Sequence, residues 1–337
     1  MMVSLDDIRA AQSLLHGVAV RTPLFEWTTR TDSRKLFLKL ENLQPIGAFK
    51  LRGAYNKVAS LSGEERRRGV IAYSSGNHAQ GVAYAARALG VKAIIVMPGN
   101  APKNKLEATA ALGAEIVIVG PGSEDRRLRA EELAAAHGYV IVPPYNDEKI
   151  IAGQGTVGLE ILDDFSNDDF SNRDLPHVET VLVPVGGGGL ISGVSAAIKL
   201  SGRLSSPGGN QVKVIGVEPE LAADARASFQ AGHIVSFPAE QVCRTLADGL
   251  RTQSIGAINF EHIRAYVDDI ISVKEDEIRE ATRLLSANPE TVAEPSGAVA
   301  VAAFLFHRDE LPDTKSNVAV ISGGNIDPVW LAELKRG

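Results

Sequence analysis

The chain has 337 residues, 45% of them hydrophobic and 23% charged, with a net charge of −6. That length suits about two domains of an ordinary soluble protein, and an acidic balance with no long basic run argues against a nucleic-acid partner. A single cysteine, Cys243, excludes an intrachain disulfide and fits a reducing, cytoplasmic compartment; the acidic N-terminus is unlike a signal peptide and no apolar run reaches membrane-spanning length.

Ser4 reads as the cap of a first helix running to about Leu15, with Asp6 and Asp7 in its first turn. Arg21–Leu24 is a turn into an extended segment, and Leu36–Leu40 a strand. Glu41–Lys50 (ENLQPIGAFK) contains Pro45 and Gly47 and is expected to be irregular, so Lys50 falls at a loop-to-helix junction between Phe49 and Leu51. That apolar setting favours partial burial and a lowered amine pKa; a solvated surface lysine is the alternative. The Arg66–Arg68 run reads as a solvated helix end. Strands are expected at Gly69–Tyr73, Lys92–Met97, Glu115–Val119 and Tyr139–Val142, with helices at His78–Leu89, Pro102–Leu112 and Ser123–Ala136 between them. Such alternation implies a parallel sheet covered by helices. Pro143–Asn146 breaks the rhythm, and a domain boundary is placed there.

A helix is expected at Lys149–Leu162, then an exposed acidic loop at Asp163–Asp174. Val181–Val185 reads as a buried strand, followed by Gly186, Gly187, Gly188 and Gly189 and a helix from Leu190 to Leu200. A strand, a glycine turn and a helix aim backbone N–H groups and a helix dipole at an anion; a tight turn that binds nothing is the competing reading. No Lys-Ser/Thr follows the glycines, and residue 192 is serine, so neither the nucleotide-triphosphate loop nor the dinucleotide fingerprint is complete. A small phosphate monoester suits the turn better. Further strands are expected at Val212–Glu218, Asp268–Val273 and Val318–Ile321, and helices from about Ala222, at Lys274–Ser286 and at Ser296–Phe306. The polar turns Ser74–Asn77, Gly186–Gly189, Glu218 and Ser322–Asn325 then fall at strand carboxyl ends, the ligand edge of an open α/β sheet. A lysine reaching the same edge suggests Schiff-base chemistry with pyridoxal phosphate.

Six blocks in register make this specific: ENLQPIGAFKLRGA (41–54), SSGNHAQGVAYAA (74–86), IAGQGTVGLE (151–160), VPVGGGGLISG (183–193), ADGL (247–250) and ISGGN (321–325). Over nearly the whole chain the sequence resembles the serine/threonine dehydratases and serine racemases, pyridoxal-phosphate enzymes of fold type II. The resemblance implies two domains of open, twisted parallel sheets, like the tryptophan synthase β chain. Residues 1–50 with 147–337 would form the large cofactor-binding domain and 51–146 a small mobile one. It implies roles as well. Lys50 would carry the cofactor as a Schiff base and act as base at Cα, with Phe49 packed beside it. Asn77 would hold the ring hydroxyl, Gly186–Gly189 with Leu190 the phosphate, and Ser322 would face the pyridine nitrogen. A neutral hydroxyl there does not enforce full ring protonation, which favours early departure of a β-substituent. Ser74, Asn77 and His78 would bind the substrate carboxylate at a helix N-terminus, and Ser75 would also contact the substrate. Ser75 would face the substrate opposite Lys50, as the racemases' second acid/base group does; a helix cap is the alternative reading. Glu218, the Ala222 carbonyl and Asp224 would bind Mg²⁺ or Ca²⁺; two solvated acids at a helix start is the alternative.

Ala48 stands where many relatives have serine, and the chain ends soon after SGGN, so no regulatory domain and no isoleucine feedback is expected. His16, His137, His177, His233, His262 and His307 match no family role and are expected to be solvated or capping; Cys243 is expected to be a small buried hydrophobe. The resulting expectation is a cytoplasmic, homodimeric ammonia-lyase that converts a small 3-hydroxy amino acid, L-threonine or L-serine, to a 2-oxo acid and ammonia. A serine or aspartate racemase and a 3-hydroxyaspartate ammonia-lyase are the enzymatic alternatives; EDRRLR (124–129) would favour an acidic substrate if it lines the pocket. A non-catalytic phosphometabolite-binding protein is the rival of a different class.

Overall fold

The computed structural model describes residues 1–27, 34–101, 103–120, 122–166, 177–203, 209 and 211–336. Most of the predicted acidic loop at 163–174 lies outside them. The described elements are, in chain order, α1 (Leu5–Leu15), β1 (Leu24–Trp27), β2 (Lys35–Leu40), α2 (Lys50–Ala59), α3 (Gly63–Arg68), β3 (Val70–Tyr73), α4 (Asn77–Ala88), β4 (Ala93–Pro98) and α5 (Lys103–Ala111). There follow β5 (Glu115–Val119), α6 (Ser123–His137), β6 (Val140–Ile141), α7 (Glu148–Ser166), β7 (Thr180–Pro184), α8 (Gly189–Leu200), β8 (Lys213–Pro219), α9 (Asp224–Ala231) and α10 (Ala239–Val242). The last are α11 (Ala257–Tyr266), β9 (Asp269–Val273), α12 (Glu275–Leu285), α13 (Pro295–Phe306), β10 (Ser316–Ile321) and α14 (Pro328–Leu334).

Local chemistry sets several of these starts. Ser4 and Asp7 form a reciprocal capping box at α1, and Ser62 and Glu65 do the same at α3. The arginine run at 66–68 is the last turn of α3, where positive charge complements the helix dipole. Helix α7 runs four residues beyond the predicted Leu162, and α11 and α14 form where no helix was expected. The α11 sequence AINFEHIRAY mixes polar and apolar residues around the helix, so its periodicity is weak; it folds by burying Asn259, Phe260, His262 and Ile263.

Two sheets result. The larger has the order β1-β2-β10-β7-β8-β9 and the smaller β5-β4-β3-β6. All pairings are parallel except β1 with β2, an antiparallel edge on the larger sheet that the expectation of purely parallel sheets had not included. Successive β2 side chains go to opposite faces. Leu36, Leu38 and Leu40 enter a core with α12 and α13, whereas Phe37 enters a second core with α7, α8 and α11. Helices α7 and α8 approach closely because glycines meet there: a Cβ on Gly158 would stand 2.8 Å from the Val194 carbonyl oxygen. The same holds between α7 and α2, where a Cβ on Gly153 would stand 2.7 Å from the Arg52 carbonyl oxygen. The glycines of IAGQGTVGLE are thus helix-packing residues, and they draw α2, which begins at Lys50, against α7.

Candidate active site

Ser74 directly follows β3, Gly186 lies just beyond β7, Glu218 is near the end of β8 and Ser322 directly follows β10. Because β10, β7 and β8 are parallel neighbours, three of these turns share one sheet edge.

The lysine loop is pinned to that edge. Ala48 bridges Gly323, the Phe49 N–H donates to the Ser322 carbonyl (3.1 Å) and the Gly324 N–H to the Gly47 carbonyl (2.9 Å). Lys50 is the first residue of α2; its Nζ donates to the Pro144 carbonyl (2.7 Å) and sits 5.2 Å from the centre of the Phe49 ring. Burial brings its pKa down to about 8. The Ser322 hydroxyl is buried and points toward the Ser296 carbonyl (3.4 Å).

Asn77 starts α4 and is drawn into the same cluster. Its Oδ1 accepts from Asn325 Nδ2 (2.8 Å), and its Nδ2 donates to Glu294 Oε1 (2.6 Å). Sequence reasoning missed Glu294. It is buried, and burial first, then the Asp248 charge, raises its carboxyl to about 7, with Lys105 and Asn77 pulling the other way. Lys105 of α5 reaches across to Asp248 (2.6 Å) in the ADGL turn. The residue after Glu294, Pro295 at the first position of α13, was the one local sign that Glu294 takes the cap position of a helix.

Ser75 is half-buried, and the α4 cap position is Gly76, which makes no side-chain capping bond. The capping alternative for Ser75 is therefore not what the structure contains. The Ser74 hydroxyl accepts from the Gly76 N–H (3.3 Å). His78 is buried and donates from Nε2 to the Val142 carbonyl (2.8 Å); burial, then the nearby Lys50 charge, lowers its pKa to about 3, so it stays neutral.

At the tetraglycine turn, Gly188 adopts φ +91°, a left-handed conformation open to glycine, and Gly189 begins α8. Among the described residues, the N–H groups of Gly186 to Leu190 find no acceptor, although Gly187 to Leu190 are buried. Unpaired buried N–H groups at a helix N-terminus are an anion site in waiting. The turn and Lys50 meet through one segment, Pro144–Tyr145: its first carbonyl takes the Lys50 amine and its ring lies on Gly187. Tyr145 was passed over as part of a domain boundary.

Glu218, Ala222 and Asp224 are all buried, which rules out two solvated acids. Glu218 accepts from the N–H groups of Ala225 (3.1 Å) and Arg226 (2.8 Å), while both Asp224 carboxylate oxygens lack a hydrogen-bond partner. Burial raises Asp224 to about 7 against the weaker pull of the Asp224 and Ile255 N–H groups and the Thr252 hydroxyl, none of which reaches hydrogen-bond geometry, and burial plus the Asp224 charge raises Glu218 well above the usual carboxylate range. No group of three or more His, Cys, Asp or Glu side chains suited to a metal occurs among the described residues.

Two other expectations are corrected. His262 is buried, accepting from the Val3 N–H at Nε2 (2.9 Å) and donating from Nδ1 to the Ile258 carbonyl (2.8 Å); it docks the N-terminal segment on α11. Cys243 is exposed, because it follows the single turn of α10 at the surface.

A family model described as pyridoxal-phosphate dependent enzyme matches residues 17–323. The L-threonine ammonia-lyase of Thermotoga maritima is 45% identical over 97% of this chain and 76% of its own. The catabolic L-threonine dehydratase TdcB of Escherichia coli is 40% identical, covering 96% and 94%. Among solved structures, maize serine racemase superposes with a TM-score of 0.87 at 34% identity, over 100% of this chain and 98% of that one.

Proposed function

The chain belongs to the pyridoxal-phosphate-dependent enzyme family, and from that premise we propose that it is an ammonia-lyase that takes L-threonine or L-serine to a 2-oxo acid and ammonia. Homologues named threonine ammonia-lyase and threonine dehydratase, 40–45% identical over almost the whole chain, support the reaction. The observation that carries the site is the single Pro144–Tyr145 segment touching both the Lys50 amine and the tetraglycine turn.

The residues present fit pyridoxal phosphate. The unpaired N–H groups of Gly186 to Leu190 would take the phosphate, Lys50 the aldehyde, Asn77 the ring hydroxyl through its remaining N–H, and Ser322 the ring nitrogen, with Phe49 beside the lysine. Bound there, the cofactor supplies a ring that withdraws electrons from the substrate Cα. Lys50 Nζ, with its pKa lowered to about 8 by burial, takes the Cα proton. Ser75, not engaged in capping, would be the proton-carrying hydroxyl on the other side of the substrate. The N-terminus of α4, with Ser74, Ser75, Asn77 and the N–H of His78, favours the substrate carboxylate. Water leaves from Cβ and, after hydrolysis, ammonia from Cα.

Glu218, the Ala222 carbonyl and Asp224 fit Mg²⁺ or Ca²⁺, since a buried carboxylate with neither oxygen partnered is relieved by a hard cation. Residues 51–146 form the small mobile domain against 1–50 with 147–337. The Lys105–Asp248 and Asn77–Glu294 contacts between them support closure at this point. No helix among the described residues is long and apolar enough to cross a membrane, and we place the protein in the cytoplasm as a homodimer.

The test is 2-oxo acid release across a panel of 3-hydroxy amino acids, with chiral analysis of recovered substrate. Threonine or serine should turn over, and Lys50→Ala should lose at least about a thousandfold in kcat, the scale of a lost acid–base group together with its positioning. Equal turnover by Lys50→Ala would remove the mechanism. Inverted recovered substrate with no 2-oxo acid would make the protein a racemase.

A further inference from the structure

Glycine at position 187 has a reason besides phosphate. A Cβ there would fall on Cδ1, Cε1 and Cγ of the Tyr145 ring, and one at Gly189 would stand 3.0 Å from Tyr145 Cβ. The other two glycines are explained differently: Gly188 by its φ, and Gly186 by contact with Leu250 at 3.3 Å, which is tight but not prohibitive. The aromatic ring is therefore seated directly on the turn.

The ring is also held from its own side. Along the strap Val142–Asn146, His78 Nε2 donates to the Val142 carbonyl (2.8 Å), Lys50 Nζ to the Pro144 carbonyl (2.7 Å) and Asn259 Nδ2 to the Tyr145 carbonyl (3.4 Å). The Ile258 N–H donates to Asn146 Oδ1 (3.0 Å). Pro143 and Pro144 have no N–H and a fixed φ, so this part of the strap only accepts and bends little. Burial, aided by Tyr73 and the Asp224 charge, raises the phenol to about 12. It stays protonated and uncharged at working pH, and it is the ring's shape that meets the turn.

We propose that Tyr145 is a positioning residue that sets the separation between the tetraglycine turn and the Lys50 amine, and that residue 187 is glycine to admit this ring. The inference rests on reading that turn as the phosphate cradle.

The test titrates cofactor-stripped protein with pyridoxal phosphate, reading affinity and the pH midpoint of the bound cofactor's visible absorbance. Overpacking should weaken Gly187→Ala about 10- to 100-fold, and Gly187→Ala/Tyr145→Ala should regain about tenfold over that single variant. Tyr145→Phe, which keeps the ring, should bind within about threefold of the parent. Tyr145→Ala should move the absorbance midpoint, because the Pro144 carbonyl loses its anchor, while Tyr145→Phe should not. A double variant no tighter than Gly187→Ala would overturn the inference, since the glycine would then serve the phosphate alone. If Gly187→Ala does not fold, identical midpoints in the parent, Tyr145→Phe and Tyr145→Ala would overturn it instead. A parent protein that takes up no cofactor would sink the proposed function and this inference together, a result distinct from either of those.

Discussion

Two buried charge clusters flank the site, and they solve the same problem in opposite ways. Beneath Lys50, Arg52 clamps Glu41 through Nε and Nη2 (2.7 and 2.8 Å) and Glu160 through Nη1 and Nη2 (2.7 and 2.9 Å). Lys39 adds a bond to Glu160 (2.7 Å), and Thr22 and Gln44 fill the remaining positions on Glu41 (2.7 and 3.1 Å). Two cations face two carboxylates, and every carboxylate oxygen has a donor. Burial alone would raise Glu41, yet the Arg52 charge and hydrogen bonds hold it below its usual range. The pocket of Glu218 and Asp224 is just as buried, but among the described residues no lysine or arginine side chain forms an ion pair with either carboxylate, the pull of the Arg226 charge on Glu218 does not offset burial, and both carboxyls are pushed up instead. Equal burial with opposite shifts teaches that partner charge, and not depth, sets the direction in which a buried carboxyl is pushed.

The largest effect expected from breaking this contrast is at Arg52. Arg52→Met strands two buried carboxylates and should cost about 3–5 kcal/mol in urea unfolding. Asp224→Asn should do the reverse of damage. Without divalent cation it should change stability by less than about 1 kcal/mol, since it removes a charge that had no partner, but Ca²⁺ should no longer raise its melting temperature. Comparable losses from both variants would erase the distinction.

A smaller effect sharpens it through pH. Asp224 is raised to about 7, so as pH falls through that value the folded protein gains a proton that the unfolded chain does not hold, and the cation-free fold is relieved. The Ca²⁺-induced rise in melting temperature should therefore be larger at pH 8 than at pH 6; equal rises would contradict the raised carboxyl. A similar sign argument applies to the Lys50 amine. Its lowered pKa means the lone pair is freed as pH rises through about 8, so recapture of pyridoxal phosphate by stripped protein should speed up to about that pH and then level off.

The smallest effect belongs to a half-exposed cluster that lies between the two extremes. His307 bridges Glu277 (2.8 Å) and Glu310 (2.7 Å), tying the end of α13 to the start of α12. Burial would lower its pKa, but the two carboxylates outweigh it and raise it. A raised histidine stabilises fully below its ordinary value and loses that contribution as pH rises through the folded one. His307→Gln should thus cost about 0.5–1 kcal/mol at pH 6 and almost nothing at pH 9, measured by thermal unfolding at both.

Much of the site was legible residue by residue. Lys50 at a loop-to-helix junction and the glycine turn between β7 and α8 needed only local reading. Glu294, Tyr145 and Arg52 were not legible. Asn77 meets Glu294 across 217 positions, and Arg52 meets Glu160 across 108, so no spacing rule links them. His262 and Cys243 were misjudged for a related reason: whether a single polar or small residue is buried depends on what packs over it, and the N-terminal segment over His262 comes from the far end of the chain.

By itself, then, the order of residues determined the alternation of strands and helices, the helix caps and the glycine turn, because those follow from backbone sterics and periodicity within a few neighbours. Only the tertiary structure decided which buried charges found partners, which carboxylate was left without one and which aromatic ring came to rest on Gly187. Those outcomes depend on chain segments far apart in sequence being brought within a few ångströms, where desolvation makes each missing or present partner count.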